Sequence, residues 1–177
     1  MKRTILFAAV ALALLAGPAS AGDFTLYGAY QDTKDADQGL GIGGKLGFGI
    51  FELRATYFDD VTTDTGRRDF ELRMIPLEAG LAFKFAPGQN VNPYIGGGAG
   101  YYLLDTNRGE VDDEVGYYAV AGANFTGASG LGFNIEGIFR SMEATVRDRS
   151  LSNPNVDEET DIQLGGFGVQ GGLVWTF

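Results

Sequence analysis

Acidic stretches recur along this chain, and between them lie runs in which apolar and polar residues alternate. Seventeen of the 23 acidic residues fall in four segments, 32–37, 59–69, 105–114 and 147–161. Three shorter, nearly uncharged breaks, 47–50, 86–92 and 126–130, separate the remaining runs. Long acidic and short neutral connections therefore take turns. Eight strands joined in that order put every long loop at one end and every short turn at the other. This is the layout of an outer-membrane barrel, with both termini on the periplasmic, short-turn side.

The runs themselves read as strands. Period-two alternation bounded by turn residues is the test. Phe24, Leu26, Gly28 and Tyr30 share one face; so do Leu40, Ile42, Leu46 and Phe48, opposite Gly41, Gly43, Lys45 and Gly47. Phe51, Leu53, Ala55 and Tyr57 alternate with Glu52, Arg54 and Thr56. The pattern continues with Ile95, Ala99, Tyr101 and Leu103, and then with the odd positions of 115–125. Leu131, Phe133, Ile135, Gly137 and Phe139 lie opposite Asn134, Glu136 and Arg140. A last strand over 161–177 presents Phe167, Val169, Leu173, Trp175 and Phe177. In the run 70–85 the apolar parity changes between Met74 and Ile75, beside Pro76, which predicts a β-bulge there. The fold expected is all-β: an eight-stranded, antiparallel, up-and-down transmembrane barrel.

The beginning of the chain is read as a targeting segment. Lys2 and Arg3 precede an apolar run over 5–16, and Ala19-Ser20-Ala21 is a small-x-small cleavage site. That run is far short of the ~20 residues of a spanning helix. Cleavage after Ala21 is expected, leaving a barrel domain over 22–177. The chain has no cysteine, so no disulfide braces an exported domain. Beyond residue 21 there are 11 basic and 23 acidic residues, which argues against nucleic-acid binding.

Aromatics sort by height. Phe48, Phe51, Phe83, Phe85, Phe125, Phe133, Trp175 and Phe177 are expected near the turns, and Tyr30, Tyr57, Tyr101, Tyr102, Tyr117 and Tyr118 near the loops. Two such girdles suit the two interfaces of a membrane. The charges outside the loops fall mostly on the opposite parity, so they point inward. An eight-stranded barrel has room inside only for side chains, and buried charges must pair. An ion-pair network of Lys45, Glu52, Arg54, Glu78, Glu136 and Arg140 is therefore expected, either plugging the lumen or acting as a gate for small ions.

Some motifs carry less than their pattern suggests. Residues 39–45, GLGIGGK, match G-x-G-x-x-G and the start of a P-loop, but Leu46 stands where a Ser or Thr is needed and no helix pattern follows. Asn124-Phe125-Thr126 is a glycosylation sequon at a strand end. Asp112-Asp113-Glu114 and Asp157-Glu158-Glu159 lack the spacing of a calcium loop and read as solvated surface. No cofactor and no metal site are expected.

Taken with the strand 93–101, PYIGGGAGY, and the ending Leu173-Val174-Trp175-Thr176-Phe177, the chain resembles the small outer-membrane β-barrel proteins of the OmpA/OmpX-like group. The resemblance covers 22–177. It implies a Gram-negative outer membrane, contact with lipid and lipopolysaccharide, and a monomer. It also implies that Leu173, Trp175 and above all Phe177 form the signal read by the barrel-assembly machinery. No peptidoglycan-binding domain is expected after the barrel. The family includes anchors, adhesins, immune-evasion proteins and a few enzymes, and its enzymes rely on a histidine base. This chain has no histidine, so a non-enzymatic barrel displaying acidic loops, with a structural, adhesive or surface-interaction role, is expected. The alternatives are a lipid-modifying enzyme, a small pore, or a soluble periplasmic lipocalin-like binder, which would need an apolar interior and a polar exterior.

Overall fold

The computed structural model describes residues 22–33, 38–63, 70–106, 110–111, 114–149, 157–163 and 165–177, so the expected signal segment, with Ala19 and Ala21, lies outside the described residues. The strands are β1 (Gly22–Thr33), β2 (Gly39–Phe48), β3 (Phe51–Thr63), β4 (Phe70–Lys84), β5 (Val91–Thr106), β6 (Glu110–Val111), β7 (Glu114–Thr126), β8 (Leu131–Ser141), β9 (Glu143–Arg149), β10 (Asp157–Gln163) and β11 (Gly166–Thr176). Eight of them close a barrel in the order β1-β11-β8-β7-β5-β4-β3-β2. Each barrel strand is antiparallel to its neighbours.

Closure joins the two ends of the barrel sequence. β1 pairs with β11 from Asp23↔Thr176 to Thr33↔Gly166. Below that ladder the Gly22 N–H donates to the Phe177 carbonyl at 2.8 Å, and the Phe177 N–H returns the bond at 3.0 Å. A closed ladder leaves no strand edge, which is what an apolar surrounding demands of backbone amides. The short turns lie at the same end as this seam. Gly49, in the turn between β2 and β3, has φ 61°, and Gly130, before β8, has φ 77°. A Cβ strains both conformations, so glycine suits these tight reversals.

Alternation sets the two faces. Phe24, Leu26, Leu40, Ile42, Phe51, Leu53, Leu81, Phe83, Ile95, Val115, Phe133, Ile135, Phe139, Val169, Leu173 and Trp175 all face outward and are exposed. Lys45, Glu52, Arg54, Glu78, Glu136 and Arg140 are buried inside. This inverts the polarity of a water-soluble domain, in which an exposed apolar surface of this extent would be a liability.

Three expectations are corrected. First, β4 carries no bulge at Met74-Ile75-Pro76: its register with β5 runs without a break from Leu72↔Thr106 to Lys84↔Tyr94. The register shift lies in the neighbouring strand, between Phe58 and Val61 of β3, opposite Met74 and Leu72. Met74 does not change sides. It points inward and packs with Tyr27, Ala29, Phe58, Tyr102, Leu104 and Met142 in an apolar cluster at the loop end of the lumen.

Second, Tyr102 and Tyr118 do not belong to the outer girdle. Both are buried inside, whereas their neighbours Tyr101 and Tyr117 are exposed. Adjacent residues of a strand face opposite ways, so each Tyr-Tyr pair contributes one ring to each side.

Third, the acidic segments 105–114 and 147–161 are not purely loops, and 161–177 is not one strand. β6, β9 and β10 form a separate three-stranded sheet in the order β10-β9-β6. β10 pairs with β9 from Asp157↔Arg149 to Gln163↔Glu143, and β9 pairs with β6 through Arg147↔Glu110 and Val146↔Val111. The last barrel strand begins only at Gly166.

Candidate functional site

The lumen is the one place where this fold gathers chemistry-bearing side chains among the described residues, and each arrives there by parity. Lys45 comes from β2, Glu52 and Arg54 from β3, Glu78 from β4, and Glu136 and Arg140 from β8. Arg54 stands directly opposite both Lys45 and Glu78 in the sheet register.

All six side chains form one connected network. Lys45 Nζ donates to Glu136 Oε2 at 2.8 Å, and lies 3.9 Å from Glu52 Oε2. Arg54 donates through Nη1 to Glu136 Oε1 at 2.7 Å and through Nη2 to Glu136 Oε2 at 3.1 Å. Its Nε donates to Glu52 Oε1 at 3.2 Å, and Nη2 pairs closely with the same oxygen. Arg140 grips Glu78 with two bonds, Nε to Oε1 at 2.8 Å and Nη2 to Oε2 at 3.0 Å. Arg54 Nε, 4.0 Å from Glu78 Oε2, links the two halves. Bidentate guanidinium–carboxylate pairs of this kind fix orientation as well as charge.

The balance of charge is the telling feature. Lys45, Arg54 and Arg140 face Glu52, Glu78 and Glu136, three cations for three carboxylates. A further pair, Lys84 with Asp23, lies toward the turn end. Desolvating so many charges is costly unless every one is matched and its remaining donors are bonded.

Neutral groups complete that matching; the sequence reading puts Asn134 on the inward parity but gives none of them a part in the network. The Tyr94 hydroxyl donates to Glu136 Oε2 at 2.6 Å and accepts from Lys45 Nζ at 2.8 Å and Asn134 Nδ2 at 2.9 Å. Asn134 Nδ2 also donates to Asn124 Oδ1 at 2.6 Å. Tyr102 donates to Glu78 Oε1 at 3.0 Å, and Gln31 Oε1 accepts from Arg140 Nη1 at 2.7 Å. Aromatic faces cover the cations: Lys45 Nζ lies 4.8 Å from the Tyr94 ring centre, and Arg54 Cζ 4.9 Å from that of Tyr118. Such contacts strengthen when water is excluded. Tyr94 is legible in principle, since it has the parity opposite to Ile95.

The tyrosines fit because glycines face them. A Cβ at Gly43 would lie 2.6 Å from the Tyr27 ring, one at Gly122 2.7 Å from the Tyr94 hydroxyl, one at Gly116 2.9 Å from the Tyr102 ring, and one at Gly80 2.5 Å from the Tyr118 hydroxyl. A backbone carbonyl of a neighbouring strand stands at least as close to each of these Cβ positions, so the inward glycines make room for backbone and ring together. At these four positions an added methyl must displace something.

The expected assembly signal lies elsewhere. Leu173, Trp175 and Phe177 are exposed on the outer face at the turn end. Of the acidic clusters read from the sequence, 112–113 lie outside the described residues, and for 157–159 only the backbone is described.

A closed eight-stranded antiparallel barrel, apolar outside and charged inside, defines a class: this is the architecture of the small outer-membrane barrels. Solved structures of that class match it. The crystal structure of outer membrane protein OprG from Pseudomonas aeruginosa superposes with a TM-score of 0.67 at 16% identity, covering 89% of this chain and 97% of that one. The solid-state NMR structure of outer membrane protein AlkL in DMPC bilayers gives 0.60 at 14% identity, covering 92% of each. The solution structure of E. coli outer membrane protein W gives 0.60 at 11%, covering 90% and 98%. At these identities the likeness is one of fold. No family model and no curated protein sequence matches the chain.

Proposed function

We propose that this chain is an integral, non-enzymatic outer-membrane barrel whose lumen is plugged by its ion-pair network, and which holds an acidic surface structure on the outer side of the membrane. The observation that carries the reading is the inverted polarity: apolar side chains clothe the barrel, while its ion pairs are almost wholly excluded from solvent. An apolar surface on that scale requires lipid around it. The same observation disfavours a lipocalin-like soluble binder, which needs the opposite arrangement.

Several features support the plug. The network is neutral as a set, each of its carboxylates is engaged, and neutral groups fill the spaces between them. A charged ion entering it would meet no unmatched partner. The non-enzymatic reading rests on the missing histidine, which removes the usual proton acceptor near neutral pH, and on carboxylates committed to cations rather than to a cleft. Leu173, Trp175 and Phe177, exposed beside the seam, are assigned to recognition by the barrel-assembly machinery. The segment 1–21 is assigned to export. The barrel works as a monomer in contact with lipid and lipopolysaccharide.

The test is electrophoretic. The chain refolded in detergent should migrate differently boiled and unboiled in SDS, as a closed barrel does. A single band, together with folding and solubility in the absence of detergent, would sink the membrane reading.

A further inference from the structure

Among the described residues, the small sheet beyond the barrel ends on one side at β10. In the order β10-β9-β6, β10 is an outer strand, and among the described residues it pairs only with β9. It spans seven residues, DEETDIQ. In an antiparallel sheet every second residue of an outer strand turns its N–H and C=O away from the partner. That edge is a ready template for another extended chain.

The register says what kind of chain would fit. Period two places positions 157, 159 and 161 of β10 on one face. In β9 the directly opposed positions are Arg149, Arg147 and Thr145. Arg147 is opposed in turn by Glu110 of β6. In the one charged row that crosses all three strands, Glu159, Arg147 and Glu110, the residue types run acidic, basic, acidic; Asp157 stands opposite Arg149 and Asp161 opposite Thr145, while in the alternate rows Glu158 stands opposite Asp148. Directly opposed residues of unlike charge stabilise strand pairs, and like charges destabilise them. A strand added beside β10 would therefore stand in register with Asp157, Glu159 and Asp161, and would continue the alternation if it carried a cation at every second residue. A second copy of β10 would set carboxylate against carboxylate, so the edge selects against self-pairing.

We infer that the outer edge of β10 is a docking site for an extended basic segment of a partner polypeptide, bound by strand addition with lysine or arginine at alternate positions. Main-chain bonds supply the affinity, and the charged register supplies the specificity. The inference rests on the surface-display reading for its setting, but the pairing itself needs no bilayer.

The experiment uses the full chain refolded in nonionic micelles and three peptides carrying a neutral fluorophore. One alternates lysine and threonine, KTKTKTKT. The second is the block peptide of the same composition, KKKKTTTT. The third is the alternating peptide with N-methyl groups on alternate amides. Anisotropy titration should show the alternating peptide binding at least tenfold more tightly than either of the others. Equal affinity for all three would reduce the effect to general attraction by acidic surface and overturn strand addition. No binding of any peptide would overturn it as well. The triple variant Asp157→Asn, Glu159→Gln, Asp161→Asn should lose at least tenfold, and Glu158→Gln, on the other face, should bind as the native chain does. The mobility shift on boiling is read on the same samples. A normal shift without peptide selectivity refutes this inference alone, and a missing shift refutes the membrane-barrel reading beneath it.

Discussion

Glu136→Gln removes one charge from the centre of the lumen while keeping its shape. In the native barrel the two Glu136 oxygens accept from Lys45 at 2.8 Å, from Arg54 at 2.7 and 3.1 Å, and from Tyr94 at 2.6 Å. An amide offers one oxygen, and its NH2 group would confront cationic donors where an acceptor stood. Lys45 would then have Glu52 at 3.9 Å as its carboxylate. Breaking a buried pair by removing one partner costs about 3–5 kcal/mol. With a urea slope of roughly 2 kcal/mol/M, the unfolding midpoint in lipid vesicles should fall by about 2 M. Adding Lys45→Met restores neutrality, because Arg54 and Arg140 then face Glu52 and Glu78. The double variant should accordingly be less destabilised than the two single changes summed, by about 1 kcal/mol or more. A Glu136→Gln shift within about 0.5 kcal/mol, or strict additivity, would refute a tightly matched lumen.

Three further outcomes follow from the same geometry. Gly43→Ala, whose new Cβ would lie 2.6 Å from the Tyr27 ring, should destabilise by about 1–3 kcal/mol, whereas Gly28→Ala, with nothing within 4 Å, should be neutral to within about 0.5 kcal/mol; urea unfolding of the pair tests whether inward glycines make room for backbone and ring, and equal effects would contradict it. Ala121→Arg, on the outer face midway along β7, should cost about 2–4 kcal/mol in vesicles and Phe133→Arg, near the turn, about 0–1; the same depth profile in a detergent-free aqueous buffer would be incompatible with a lipid-facing belt. The native barrel should show no discrete conductance steps in planar bilayers, and reproducible steps would refute the plug and favour the gate.

Much of the barrel is legible in the sequence because its polarity is nearly binary. Where a strand alternates cleanly, as in Phe51 to Tyr57, the face of every side chain follows, and with it the six charges of the lumen. Legibility fails where one residue type serves both sides. Met74 is apolar and faces inward, so its parity imitates a register shift; the shift lies in β3, opposite it. In the pairs Tyr101-Tyr102 and Tyr117-Tyr118 the alternation already puts Tyr101 and Tyr117 on the outward parity; sorting tyrosines by height alone passes over it, and the structure turns Tyr102 and Tyr118 inward, beside Gly116 and Gly80. The β6-β9-β10 sheet reads as loop because DEETDIQ and EATVRDR lack an apolar alternation. Their pairing is set between strands, as in Glu159 opposite Arg147 and Arg147 opposite Glu110, and no single stretch of sequence displays it.

The central claim is that the outward face of this barrel meets lipid, and the chain carries its own reporter. Trp175 is the single tryptophan, and it lies exposed on the outer face at the turn end, paired with Phe24 and Leu131. Refolded into vesicles whose acyl chains carry bromine at defined depths, the native protein should show blue-shifted emission, quenched most strongly by the bromines nearest the headgroups. Emission at the wavelength of tryptophan in water, indifferent to bromine at every depth, would contradict the account.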